Sequence, residues 1–303
     1  MTRAERNAAV LGGVTEYIVR PLTEREQIRR ILEGRRPYAA YALGQLEPSL
    51  FPQTEWWLAS SPANQALVLH SRGGLGNATF AMGETTALEA LLLLHPGPRH
   101  TFLTCEPHHL STVLRHFELD QRQTMIRMRV TRETFKPAAA AGEGIRRLTG
   151  ADAREVNRLY RTDGVPSFYT PRQIDEALYF GAERQGRLIA VAGTHVISHN
   201  SQIAVIGNVY THPRFRNQHL AQAVTSAVTE RLLEFCRDVV LSVDPANLPA
   251  VRAYERLGYA EVARLIEGAA TRRDFSGIAG VVRRLIARTH GRHAGAEIVR
   301  MRQ

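Results

Sequence analysis

The chain has 303 residues, a formal net charge of +10, 44% hydrophobic and 22% charged residues, and two cysteines. That length suits two ordinary domains, and the composition excludes a disordered chain. No run of about 18 uncharged apolar residues occurs, which excludes a membrane-spanning helix, and Met1–Asn7 lacks the apolar core of a secretory signal.

Cys105 and Cys236 stand far apart without metal-ligand spacing, the pattern of free buried thiols in a reducing cytoplasm. Lys136 is the only lysine, so the arginine excess reflects coding bias more than selection for a binding surface. The charge gathers at the end, where Thr271–Gln303 holds eight arginines against Asp274 and Glu297, a net of +6. A solvated helix face accounts for such a tail more readily than nucleic acid does.

From the N-terminus, Gln27–Leu32 reads as helix, Trp56–Ala59 and Ala66–His70 as strands, and the glycine-rich Arg72–Asn77 as a turn before a strand at Ala78–Met82. Thr101–Cys105 is a further strand, a helix follows near His108–Phe117, and the alternation of Met125–Val130 closes this half as a strand. Lys136–Gly144 is mostly Pro, Gly and Ala without periodicity and reads as a linker. The expected organisation is a first domain over 1–137, a linker over 138–144, a second domain over 145–270 and a basic helical tail over 271–303.

In the second domain, Ala151–Tyr160 reads as a helix with Thr149 placed to cap it, and Pro171–Tyr179 as another. Leu188–Val196 and Ile203–Thr211 are adjacent strands joined by the polar turn Ser198–Gln202. Leu220–Phe235 carries apolar residues at 220, 224, 227, 228, 232 and 235, one face of a helix. Val239–Val243 is a buried strand, Pro249–Leu257 a helix ended by Gly258, and Tyr259–Leu265 a last strand. The order gives an α/β fold, a mixed sheet with helices packed against it.

Two stretches carry chemistry. In Asn208–Ala223 a strand stops at Pro213 and a long helix opens near His219. Unpaired N–H groups and a partial positive charge at such an opening hold phosphate without any particular side chain, and Arg216 at the mouth adds a charge-assisted contact. In Val243–Tyr259, Asn247 stands at the mouth of a helix and Tyr254 follows two turns on, so both line one side. The Asn247 amide donates and accepts at once, suited to a pantetheine amide, while a plain helix cap explains it equally well from spacing. Tyr254 offers a phenol for a leaving thiolate, or packs as a core aromatic.

These stretches closely resemble the GNAT superfamily of N-acetyltransferases. Arg216-Asn-Gln-His219-Leu-Ala221 matches both ends of that family's Arg/Gln-x-x-Gly-x-Gly/Ala motif. Asn247, Ala250, Tyr254, Gly258 and Tyr259 match every fixed position of its later Asn-x-x-Ala-x-x-x-Tyr-x-x-x-Gly-Phe/Tyr motif. The resemblance implies acetyl-CoA as co-substrate and direct acetyl transfer to a primary amine of a small molecule or peptide. It implies that Val209, Tyr210 and Thr211 form the strand edge that bonds pantetheine. Arg216, Asn217, Gln218, His219, Leu220, Ala221 and Gln222 would surround the pyrophosphate. Asn247 and Ala250 would flank the pantetheine arm, with Tyr254 as general acid at the sulfur. His219 replaces the motif's first glycine and is expected to keep an ordinary helix-start backbone.

The family's acidic base has no counterpart at Val205 or Ser242, which leaves Asp244, His195 and His212 as candidates. The first half repeats strand, acidic residue, proline and helix in Phe102–Phe117, and resembles the degenerate half of tandem family members. It would close one side of the acceptor cleft, with Tyr38, Tyr41, Trp56 and Trp57 as candidate linings. Two GNAT-like domains are thus expected, each a mostly antiparallel central sheet flanked by helices, with no metal. A non-catalytic CoA-binding sensor is the rival class, and a homodimer stays open.

Overall fold

The α/β class expected from the sequence is that of the computed structural model, which describes residues 14–73, 76–138, 144–164, 167–274, 278–290 and 296–302. The expected linker lies outside the described residues apart from its ends, Ala138 and Gly144, as do Gly74 and Leu75 of the glycine-rich turn. The chain divides into two units. One comprises Met1–Ile31, Pro48–Thr124 and Leu265–Gln303, the other Leu32–Glu47 and Met125–Arg264.

These units do not follow the boundary placed in the linker. Strand β6 (Phe117–Val130) gives its first part to the first unit and Met125–Val130 to the second. That second part pairs with β11 (Asp238–Val243) from Val239↔Val130 to Val243↔Ile126. The segment 32–47 joins the second unit through buried Arg36. Its Nε donates to Asp238 Oδ2 at 2.5 Å, and its Nη2 donates to the carbonyls of Ser201 and Gln202. Composition marks a loose stretch of chain, but strand pairing and buried charge decide which residues fold together.

In the first unit the sheet order is β13 (Glu297–Arg302), β1 (Val14–Pro21), β2 (Thr54–Ser60), β3 (Gln65–Ser71), β4 (Ala78–Gly83), β5 (His100–Cys105) and β12 (Ala260–Arg272). Among the described pairings of this unit only β4 and β5 run parallel, from Ala78↔Phe102 to Phe80↔Thr104, because a helix, α3 (Thr85–Leu94), carries the chain back between them. The apolar run of α3 buries Ala87, Leu88, Leu91 and Leu92.

The C-terminal segment departs from the expected basic tail. It comprises a helix, α9 (Ile278–His290), followed by β13, which pairs with β1 from Val14↔Arg302 to Val19↔Glu297. Glu297 is buried and lies 2.6 Å from His95 Nε2. The alternating Glu297–Arg302 is a strand pattern that net charge conceals.

In the second unit the order is β6, β11, β10 (Ile203–Thr211), β9 (Arg187–Ser198), β8 (Phe180–Arg184) and β7 (Ile145–Arg147). Again one described pair is parallel, β10 with β11, joined by α7 (Leu220–Leu233). Val224, Val228 and Leu232 of α7 pack on Ala204, Ile206, Val239, Leu241 and Met128. All three are fully buried, each stabilising the unit by about 1.5–3 kcal/mol. The other face carries α5 (Ala153–Tyr160), whose Val156 and Leu159 meet Leu188 and Val191, and α2 (Ala40–Gly44), which packs on β9 and β10. Thr149 and Asp152 form the capping box before α5, and α6 (Pro171–Glu176) is capped in the same manner by Thr170 and Gln173.

Candidate active site

The parallel ladder between β10 and β11 is short. It runs from Ile203↔Asp238 to Ile206↔Leu241 and stops. Beyond it β10 continues to Thr211 paired only with β9, and β11 pairs with β6. The two strands part, and among the described residues one edge of Gly207–Thr211 has no strand beside it. A bulge sharpens the departure. Asn208 and Val209 together oppose the single Ala192, and Asn208 takes φ +55. Its carbonyl accepts from Tyr160 Oη at 2.5 Å and its Nδ2 donates to Tyr179 Oη at 2.7 Å. Tyr160, Tyr169, Tyr179 and Tyr210 form a chain of ring contacts around it.

At the open end the loop 212–219 leads into α7. Asn217 has φ +63 and His219, the residue at the helix mouth, φ +58. The expectation of an ordinary backbone at His219 is corrected here: the histidine holds the left-handed conformation that glycine adopts without cost. No side chain caps α7, so the amides of its first turn remain open. Arg216 does not point free. It pairs with Asp163, and its Nε donates to the Thr211 carbonyl at 3.3 Å. Arg184, which the motifs did not mark, reaches this loop from β8 and donates to Gln218 Oε1 at 3.3 Å. The cradle therefore combines open amides with two guanidinium groups, an arrangement that receives a polyanion.

Across the fork, Asn247 opens α8 (Leu248–Arg256) and its Oδ1 accepts from Ala250 N at 3.3 Å. The cap reading is therefore realised. Two turns on, Tyr254 is 7% exposed. Burial alone pushes its phenol up to about 12, so it stays protonated. Gly258, with φ +88, ends this helix where an added Cβ would stand 1.9 Å from the Thr134 carbonyl, which explains why no other residue serves there.

Of the three candidate bases, Asp244 and His212 lie just past the ends of β11 and β10, and His195 lies within β9. Asp244 is exposed, and its Oδ1 accepts from Ala246 N at 2.8 Å, a turn contact. His212 is occupied likewise, its Nδ1 accepting from Arg214 N at 3.2 Å. His195 is different. Its ring lies over Gly207, where an added Cβ would come within 2.3 Å of it, and its Nδ1 is 2.6 Å from Tyr41 Oη. Burial, the largest influence, lowers its pKa, so it is neutral at pH 7. Of the four aromatic residues proposed to line a cleft, Tyr41 reaches this site. Tyr38 is buried with Arg35 near its ring, while Trp56 and Trp57 belong to the first unit, where Trp57 stacks on His95.

The profile of the Acetyltransferase (GNAT) family matches residues 149–259. Residues 149–259 form a GNAT acetyltransferase domain. No curated protein matches the chain. Among solved structures, a GCN5-related N-acetyltransferase from Kribbella flavida is 15% identical, with 80% of this chain and 96% of that one covered and a TM-score of 0.55. One from Sphaerobacter thermophilus is 19% identical over 84% and 95%, TM-score 0.52. A tandem GNAT protein from the clavulanic acid biosynthesis pathway is 14% identical over 84% and 98%, TM-score 0.51. These likenesses establish a shared fold.

The first unit repeats the plan of the GNAT domain, with β4, α3 and β5 standing where the domain has β10, α7 and β11. The difference lies at the helix mouth. Glu84 caps α3, its Oε2 accepting from Thr86 N at 2.8 Å and Ala87 N at 3.0 Å. The amides that stay open in the GNAT domain are thus filled by the first unit's own carboxylate.

Proposed function

We propose that the chain transfers an acetyl group from acetyl-CoA to a primary amine of a small molecule or peptide. The observation that carries this reading is the parting of β10 from β11 after Ile206 and Leu241, with the open amides of α7 following the one strand and Asn247 and Tyr254 of α8 following the other. Asn217 to Gln222 surround the diphosphate, helped by Arg184 and Arg216, which would leave Asp163 for the more highly charged partner. The free edge at Val209, Tyr210 and Thr211 and the Nδ2 of Asn247, beside Ala250, bond the pantetheine arm. Acetyl-CoA supplies the activated thioester; the rest is the protein's.

A backbone N–H of the β10 bulge meets the oxygen of the carbonyl as it becomes tetrahedral. Neutral His195 takes one proton from the incoming ammonium, the nitrogen forms its bond to the carbonyl carbon, the carbon–sulfur bond breaks, and the second proton that the nitrogen sheds passes to the departing sulfur. Tyr254, protonated throughout the physiological range, keeps an O–H donor on the departing thiolate. Buried Cys105 and Cys236, both pushed up to about 12 by burial, stay inert thiols, which suits the cytoplasm. No described helix is long and apolar enough to cross a membrane.

Titration calorimetry with CoA, together with free-thiol release from acetyl-CoA over a panel of amines, tests the reading. Binding with amine-dependent thiol release supports it. Tight binding without turnover on any amine would instead indicate a CoA sensor, and no heat of association removes both.

A further inference from the structure

Arg127 lies on β6 with its side chain fully buried, and Nε, Nη1 and Nη2 all lack a hydrogen-bond partner. Guanidinium does not lose its proton in proteins, so the charge stays, and a buried charge without a partner is destabilising. Asp238, a buried acid of this unit, is taken by Arg36 at 2.5 Å and Arg129 at 3.5 Å. The Tyr41 ring, 5.2 Å from the Arg127 guanidinium carbon, meets only one face of it; the in-plane N–H donors remain unused.

The position is specific. Arg127 is the register partner of Ser242 on β11, one residue beyond the last contact between β11 and β10 at Leu241. Paired residues project on the same side of a sheet, so the guanidinium stands beside Ser242. The Ser242 Oγ is also buried and unpartnered. Tyr41, which covers Arg127, is the same residue whose hydroxyl meets His195. A planar five-donor fork, a spare hydroxyl and a neutral imidazole therefore converge where the strands part.

Resting on the transferase reading above, we propose that Arg127 and Ser242 bind a carboxylate on the acceptor, so that the acceptor is an acid-bearing amine of the amino-acid class. The planar fork fits a carboxylate with two parallel N–H···O bonds, and Ser242 Oγ donates a third. Held there, the acceptor directs its nitrogen toward His195.

The test pairs each of the twenty common amino acids with its decarboxylated amine, in wild type, Arg127→Met and Ser242→Ala. Wild type is expected to favour the acid member of at least one pair. In Arg127→Met the kcat/KM ratio of acid to decarboxylated amine falls roughly 10- to 100-fold, the worth of hydrogen bonds to a charged group. In Ser242→Ala, a change small enough to fold, it falls several-fold. A wild type that prefers the decarboxylated member of every pair, or a ratio unmoved in both variants, overturns the carboxylate site and leaves the transferase standing. Absence of CoA binding and of turnover fails the transferase reading instead. Calorimetry of the same amino acids then judges the site alone: no amino acid binding more weakly to Arg127→Met than to wild type overturns it.

Discussion

Tyr41 Oη lies 2.6 Å from His195 Nδ1, joining a helix from the N-terminal segment to the strand that flanks the fork. If His195 accepts a proton at Nε2, its Nδ1–H donates to Tyr41, which fixes both tautomer and ring. His195→Ala is expected to lower kcat about 100-fold, with the KM for acetyl-CoA little changed. Tyr41→Phe keeps the ring and loses the orientation, a smaller loss in kcat. Because burial lowers the His195 pKa, the acid limb of the kcat profile falls below the usual histidine value of about 6.5. A limb centred above pH 7 in steady-state assays would remove His195 as the base.

Tyr254 is read as a donor to sulfur, and its removal separates binding from chemistry. Tyr254→Phe preserves the packing against Tyr259 and should lower kcat about 10-fold or more while CoA affinity holds. Equal CoA affinity with unchanged kcat in the variant contradicts the role.

At His219 the left-handed backbone, φ +58, costs about 1–2 kcal/mol for a residue with a Cβ. His219→Gly relieves it but loosens the unfolded chain by about 0.4–1 kcal/mol. Stability in urea is therefore expected unchanged or slightly raised, with CoA binding retained. His219→Val places a β-branched residue where φ is positive and should weaken both. Wild-type CoA affinity in His219→Val would show that the cradle does not depend on this conformation.

The first unit has its own pH dependence. His70 is fully buried between Thr79 Oγ1 and the His95 carbonyl, each 3.0 Å away, and burial lowers its pKa to about 4. The unfolded chain takes up this proton near pH 6.5 and the folded one does not. The contribution is complete above pH 6.5 and shrinks as pH falls toward 4, by about 3 kcal/mol. Urea midpoints of wild type and His70→Gln between pH 7 and 4.5 measure this: the wild-type fall should be the steeper, and parallel curves refute it.

Much of the second unit was legible because its signals are local. Ile203–Thr211 is a strand with the bounds its apolar run suggested, and α7 begins at the expected Leu220. The Asn247–Tyr259 spacing placed Tyr254 two turns from the mouth of α8, as observed. Arg127 was not legible. Met125-Ile-Arg-Met-Arg-Val130 reads as a strand with one wet face, and only the pairing with β11 and the cover of Tyr41 bury Arg127 on it. The same limit applies to Arg184 and Asn208, whose importance comes from a bulge and a loop meeting at long range. The bounds of the units escaped for a related reason: Arg36 and Asp238, 202 positions apart, carry no mark of each other in their neighbours.

The carboxylate of Glu84 has a consequence for stoichiometry. A half that satisfies its own helix amides offers no vacancy for a nucleotide, so on the proposed transferase reading one half alone takes the ligand. Each polypeptide should titrate with one equivalent, and any sigmoidal saturation must arise between chains and not between the halves of one.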